Sequence, residues 1–364
     1  MSMKSALQAS WLAAVGAVAL GACADDAPSA YTLTFTGAAP RLLVAQDGDG
    51  AWQPVALTGA DGTFAVTAGF HGWAAVCDPA PLVRVTYDAG DGGTPIRPCG
   101  SPPVQGVTLT GHVTPASAQV FVDVSGNPHA VEADGSYQAS VAPGTHDLVF
   151  AEDGPRMLIR RAEAITADRV LDVDMAAGFD RTLATVTVTG AGAEPVTVSS
   201  ELHTLDGAGT YVPMSGAGDQ IWLVPAAQRV ATDRMVAMAT LWTGDTTRVV
   251  QRLVTDATAP ALTFAAPPTV TADRAGATWT TEPDWIYTVL RATVAPPVQV
   301  ITTASRAWQA ARGGGALPWL DPSALGAGAP TFTAGAALEW SVALETGDRA
   351  GELTFINRDG PLVW

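Results

Sequence analysis

Past residue 28 the chain alternates apolar and polar residues with a period of two. In "ALEWSVALET", Leu338, Trp340, Val342 and Leu344 fall on one side while Glu339, Ser341 and Glu345 fall on the other. The same alternation runs through Val120/Val122/Val124, through Val186/Val188 between Thr185, Thr187 and Thr189, and through Leu171/Val173/Met175 between Asp172 and Asp174. Successive side chains of an extended chain point to opposite faces, so this pattern buries one face and wets the other, as half-buried strands of antiparallel sheets do. Asp-Gly dipeptides at 61–62, 134–135, 153–154, 206–207 and 359–360 supply turns between such runs. The spacing predicts an all-β chain of antiparallel β-sandwiches. The best helical stretch is Ala304 to Arg312, "ASRAWQAAR", cut off by Gly313-Gly314-Gly315.

Pro/Gly clusters divide the strands into groups. "PCGSPPVQG" at 98–106, "MAAGFDRT" at 175–182 and "TDATAPAL" at 255–262 place β domains at 29–104, 105–178, 179–256 and 257–364, with the last two alternatively forming one larger unit. In the second domain, Gly111, the strand around Val120 to Val124, "DGSY" at Asp134 to Tyr137 and "PGTHDLVF" at Pro143 to Phe150 resemble the carboxypeptidase regulatory-like domain, a small transthyretin-like sandwich. That resemblance covers about a fifth of the chain. It implies a structural accessory module without catalytic residues.

The first residues read differently. A short cationic start, Met-Ser-Met-Lys-Ser, precedes the apolar "ALQASWLAAVGAVAL", which is long enough for a secretory signal and too short and small-chained to prefer a spanning role. The run ends in Leu20-Gly21-Ala22-Cys23, followed at once by Ala24, Asp25 and Asp26. These residues resemble a bacterial lipobox, with Gly21 where Ser, Ala or Thr is commoner. The resemblance implies cleavage of residues 1–22, a diacylglyceryl group on the Cys23 thiol, acylation of the new amino terminus and a tether over 23–28. Several acyl chains, each contributing about 0.8 kcal/mol per buried methylene, hold far more firmly than one. Ala24, rather than aspartate, directly after the cysteine implies the outer membrane in a producer with two membranes. The rival reading is an ordinary secretory signal cut near Ala22 or Ala24.

Composition narrows the function classes. Of 364 residues, 48% are hydrophobic and 15% charged, enough to build real cores. Formal net charge is -16, and loss of Lys4, the one lysine, with the leader makes it -17. An exterior this acidic, with no basic stripe, repels phosphate backbones, so nucleic acid is not an expected partner. The expected partners are the membrane through the anchor and an envelope glycan or protein.

With Cys23 used, Cys77 and Cys99 remain, flanking a strand at Leu82 to Tyr87 and a "DAGDGG" turn. Two exported thiols about 20 residues apart are expected to pair, a bridge worth about 3 kcal/mol. Metal binding is the competing use, but neither cysteine has a partner at CxxC spacing and His71 is the nearest histidine. "QDGDGAW" at Gln46 to Trp52 begins like a calcium loop through Asp47 and Asp49, yet lacks the further oxygen ligands and the bidentate glutamate. It reads as a hairpin between "RLLVAQ" and "AWQPVAL". No metal or other cofactor is expected.

Catalysis needs a positioned nucleophile, base or Lewis acid. The five histidines show no HxH or HExxH spacing, "PMSGAG" lacks the first glycine of a nucleophile elbow, and Asp172 and Asp174 read as a solvated edge. The expectation is a non-enzymatic chain with a structural role. Six of eleven tryptophans crowd the last hundred residues. Trp340 falls on the apolar side of its strand, and core or interface packing is the first expectation for the others; Trp279, Trp285 and Trp319 are the candidates for a stacking platform that recognises glycan or peptide.

Overall fold

In the computed structural model, the described residues are 29–363 apart from 36–38, 60, 79–81, 89–98, 100–105, 118–119, 125–126, 205–210, 215–217, 245, 256–259, 265, 267–268, 274–275, 281–284, 295–297, 313–314, 319, 332–336 and 348–351. They are mostly strand, arranged in several sheets, with almost no helix. The α-helix is Arg306–Ala311, capped where the Ser305 hydroxyl accepts from the Trp308 amide. It starts later than the sequence suggests because Ala304 and Ser305 finish the strand Val298–Ser305.

Residues 107–180 form a two-sheet sandwich. One sheet orders Ser136–Val141, Val107–Thr114 and Arg169–Val170, with Val173–Asp174 also beside Val107–Thr114. The other orders Asn127–Ala130, Val120–Val124, Gly144–Glu152, Arg156–Ile165 and Phe179–Asp180. Leu109, Val113, Tyr137 and Ala139 of the first meet Val120, Val122, Leu148, Phe150 and Ile165 of the second in a closed core. The chain returns alongside Val107–Thr114 through Leu171, whose amide donates to the Thr110 carbonyl and whose own carbonyl accepts from the buried Tyr137 hydroxyl at 2.6 Å. Burial, and then the charge of Asp172, raise that phenol above its ordinary value. Gly111 makes room: a Cβ there would collide with the Leu171 carbonyl and lie 2.9 Å from the Tyr137 hydroxyl. Asp168 and Asp172 fix the returning segment by accepting from the amides of Thr108 and His112 at 2.7 and 2.9 Å, and Asp174 caps the turn Met175–Ala177 through the Ala176 amide.

Alternation alone does not foresee that the five-stranded sheet is buried on both faces. Phe121, Val149, Ala151, Met157 and Ile159 turn away from the sandwich core into a second core with Val198, Leu202, Ile221, Leu223, Met235 and Leu262. Val120–Val124 is therefore buried almost throughout, Asp123 included. Arg161 bridges the two regions. It donates to Asp147 at 2.8 Å and to both carboxylate oxygens of Asp233 at 2.8 and 2.5 Å. Arg181 sits over the Trp222 ring at 5.3 Å and donates to the carbonyls of Glu152, Gly154 and Pro155.

Among the described residues the largest sheet has twelve strands. Its order is Tyr211–Met214, Val196–His203, Arg234–Thr243, Thr246–Leu253, Glu352–Val363, Ala337–Gly347, Trp285–Val294, Val298–Ser305, Leu82–Asp88, His71–Cys77, Leu42–Asp47 and Gln53–Pro54. Early and late strands join where Leu82–Asp88 runs parallel to Val298–Ser305, from Leu82 beside Gln299 to Tyr87 beside Ala304. Further parallel pairs, Thr187–Thr189 with Ala261–Thr263 among them, depart from the purely antiparallel expectation. Parallel pairing needs a long crossover, which local alternation does not record.

Two turn assignments also move. Asp61-Gly62 begins the strand Asp61–Val66, paired with Leu57–Thr58 across a turn at Gly59, whose φ is +63°. Asp359-Gly360 lies inside Glu352–Val363, opposite Ser341 and Trp340. Asp134-Gly135 and Asp153-Gly154 are turns, and Asp206-Gly207 falls outside the described residues.

Replacing Gly111 by Ala should cost about 1–3 kcal/mol, because a carbonyl oxygen held by its own hydrogen bond has little room to shift. Gly69→Ala, where a Cβ meets nothing within 4 Å, is the matched control and should be near neutral. Denaturant unfolding of both variants under non-reducing conditions gives the comparison, and equal midpoints would refute the close-approach account.

Candidate functional site

An aromatic and arginine patch gathers where the first strands meet the helix Arg306–Ala311. It is built on the hairpin of Leu42–Asp47 and Gln53–Pro54, in which Val44 pairs Pro54 and Ala45 pairs Gln53. Between them the chain turns tightly. Gly48 takes φ +55° and donates to the Phe70 carbonyl at 3.0 Å, Gly50 donates to the Asp47 carbonyl at 3.0 Å, and the Gln46 amide donates to the Gly50 carbonyl at 2.5 Å. Asp47 is the anchor of this turn. Its carboxylate accepts from the Thr67 amide at 3.0 Å, the Ala68 amide at 2.9 Å and the Thr67 hydroxyl.

The turn carries Asp49 and Trp52 outward. Asp49 meets Arg312, which follows the helix and donates to its carboxylate. The guanidinium also lies over the rings of Phe70 and Trp308, 5.5 and 5.3 Å from their centroids. Trp308 is buried and stacks on Tyr87 at 4.7 Å, and Trp52 tilts against the other end of that row, 6.2 Å from Tyr87. Gly72 permits the stack: a Cβ there would stand 2.8 Å from Cδ1 of Tyr87 and 3.2 Å from Cη2 of Trp52. Burial pushes the Tyr87 phenol up to about 12, with Arg312 lowering it and Asp49 raising it. Trp52 itself is half-buried. The patch thus offers part of an indole, one donor and one acceptor side by side, and rigid rings beneath them.

The residues singled out from sequence are placed as follows. Cys77 and Cys99 form a disulfide with Cα atoms 5.1 Å apart, at the end of His71–Cys77. Trp279 is buried among Val270, Ala277 and Leu317, so its indole faces a core. Trp285 opens the strand Trp285–Val294, opposite Thr346; its side chain and that of Trp340 lie outside the described residues, as do Trp319 and Cys23. Among the described residues no group of three His, Cys, Asp or Glu is gathered to hold a metal. Asp47 and Asp49 are engaged instead with the Thr67–Ala68 backbone and with Arg312. The sequence flagged "QDGDGAW" and "ASRAWQAAR" separately; Asp49 and Arg312 are 263 positions apart, and no local pattern links them.

No protein-family model and no curated protein matches the chain. Among solved structures, it is similar at 10% identity to a DUF3823 family protein from Bacteroides ovatus, over 71% of this chain and 98% of that one, with a TM-score of 0.16. It is also similar at 13% identity to a tetra-tandem repeat in the extending region of a large adhesion protein, over 92% of this chain and 99% of that one, with a TM-score of 0.17. Scores this low carry no inference about function.

Asp47 ties the turn to pH. Burial raises its carboxyl, but the hydrogen bonds from Thr67 and Ala68 and the charge of His71 outweigh that and hold it below its ordinary value. A carboxyl depressed in the fold stabilises fully above its unfolded value of about 4, and that contribution is lost as pH falls through and below this range. Asp47→Asn should therefore lower stability at neutral pH and flatten the acid limb of the stability profile. Urea midpoints from pH 7 down to about 3 test it, and parallel profiles for the two proteins would count against the anchor role.

Proposed function

We propose that this chain is a lipid-anchored outer-membrane protein of the bacterial envelope with a non-catalytic, structural role. The observation that carries the reading is Leu20-Gly21-Ala22-Cys23 at the end of a short apolar run. Two further features support it. A disulfide between Cys77 and Cys99 suits an exported chain, since thiols persist reduced in the cytosol. Asp47 in a turn, Asp174 at a cap and the Arg161–Asp233 ion pair are used to hold the fold together.

A second reading, a surface module that binds an envelope glycan or peptide, is favoured by the half-buried Trp52 beside the Asp49–Arg312 pair. It moves the binding residues away from Trp279, whose indole is enclosed.

Replacement of Cys23 by Ser should abolish incorporation of a palmitate analogue and leave either uncut precursor or soluble protein. A variant that still sediments with membranes after a high-salt wash, with its leader removed, would show that the anchor lies elsewhere.

A further inference from the structure

We propose that the patch formed by Trp52, Asp49 and Arg312 is a binding subsite for a neutral oligosaccharide. The inference deepens the binding reading above and is independent of lipidation at Cys23. A pyranose ring has a flat face of C–H groups and a rim of hydroxyls. Trp52 supplies the apolar surface, held at a fixed tilt by Tyr87 and by the clearance over Gly72. Beside it, Arg312 is 36% and Asp49 72% exposed at the side chain, so both keep hydrogen-bonding capacity free for solvent or ligand. Vicinal hydroxyls match such a pair: one accepts from the guanidinium while its neighbour donates to the carboxylate. Little ordering remains to be done on binding, because Arg312 is already fixed over Phe70 and Trp308 and Asp49 sits on a hydrogen-bonded turn.

Charge selects within the sugars. The guanidinium is met by Asp49, so the patch presents no unpaired cation, while the chain as a whole carries -16. Uronate or phosphate-bearing polymers would approach a negative protein without an unpaired cation to receive them. A peptide added in strand form is disfavoured by the adjoining edge: Trp52 leads directly into Gln53–Pro54, the last strand of the twelve, and Pro54 has no amide hydrogen to donate.

The test is titration of the purified full chain in detergent with cellohexaose, laminarihexaose, chitohexaose and polygalacturonate, read by tryptophan fluorescence and calorimetry. Saturable binding of at least one neutral hexasaccharide is expected, weakened about tenfold or more by Trp52→Ala and clearly weakened by Asp49→Asn. Trp242→Ala should leave it unchanged, although Trp242 is 45% exposed at another hairpin. Asp49→Asn keeps the proposal testable if removal of Trp52 unfolds the hairpin. Neutral-sugar binding that survives both Trp52→Ala and Asp49→Asn would overturn this subsite and leave the binding reading standing. Preference for polygalacturonate would overturn the choice of ligand class. No saturable binding to any probe would sink the subsite, with the structural role then the reading that remains.

Discussion

The parallel pairing of Leu82–Asp88 with Val298–Ser305 is the contact on which the rest of this architecture depends. It is made between segments more than two hundred residues apart, so it carries a long-loop closure cost that the contacts it makes must offset. Once made, it places Val83, Val85 and Tyr87 against Val300, Ala304 and Trp308, and these close a core with Val270, Trp279 and Leu317. It also sets the helix Arg306–Ala311 beside the Asp47–Trp52 turn. The Arg312–Asp49 pair and the Tyr87–Trp308 stack exist only because this one register brings them together. The Cys77–Cys99 bridge closes a loop around Leu82–Asp88, restricting the unfolded freedom of the strand that must find its distant partner.

A sheet of twelve strands has two edges, and each is an opportunity for unwanted pairing with another chain. Here both terminal strands are short and contain proline: Gln53–Pro54 at one side and Tyr211–Met214, with Pro213, at the other. Two of the smaller sheets repeat the device, with Pro128 in the edge strand Asn127–Ala130 and Pro318 in Ala316–Pro318. Proline removes a ladder donor at the position where a new strand would bind. Sequence scanning reads such prolines as breaks between domains, whereas here they also end sheets.

What was legible in the sequence was local. Leu171, Val173 and Met175 are buried between exposed Asp172 and Asp174 as their alternation demands, and the strand after Cys77 begins at Leu82 as expected. The failures have a common cause. Asp61-Gly62 and Asp359-Gly360 have turn chemistry but lie in strands, because pairing with Leu57–Thr58 and with Ala337–Gly347 outweighs the local preference. Asp123 is buried because a second core covers the outer face of its sheet, a fact held by Val198, Ile221 and Met235, far along the chain. The patch was half legible: each of its two stretches drew notice, but their meeting is a property of the sheet.

The distribution of cations connects this architecture to the kind of ligand it can meet. Apart from Lys4, every basic side chain other than histidine is arginine, and many are turned inward on backbone. Arg156 donates to the carbonyls of Met175 and Ala176, Arg229 to Val254 and Thr255, and Arg181 to Glu152, Gly154 and Pro155. A planar fork of fixed donors can satisfy two or three loop carbonyls at once, which a lysine ammonium on a flexible stem does less well. These arginines keep their charge, but with 19 basic against 35 acidic residues the protein's field is negative. A negative field repels polyanions in general and leaves the approach of neutral ligands unopposed. At Arg312 the same economy holds, since its carboxylate partner is Asp49 and its faces rest on Phe70 and Trp308, so the one arginine in the patch adds directional donors without adding net positive charge.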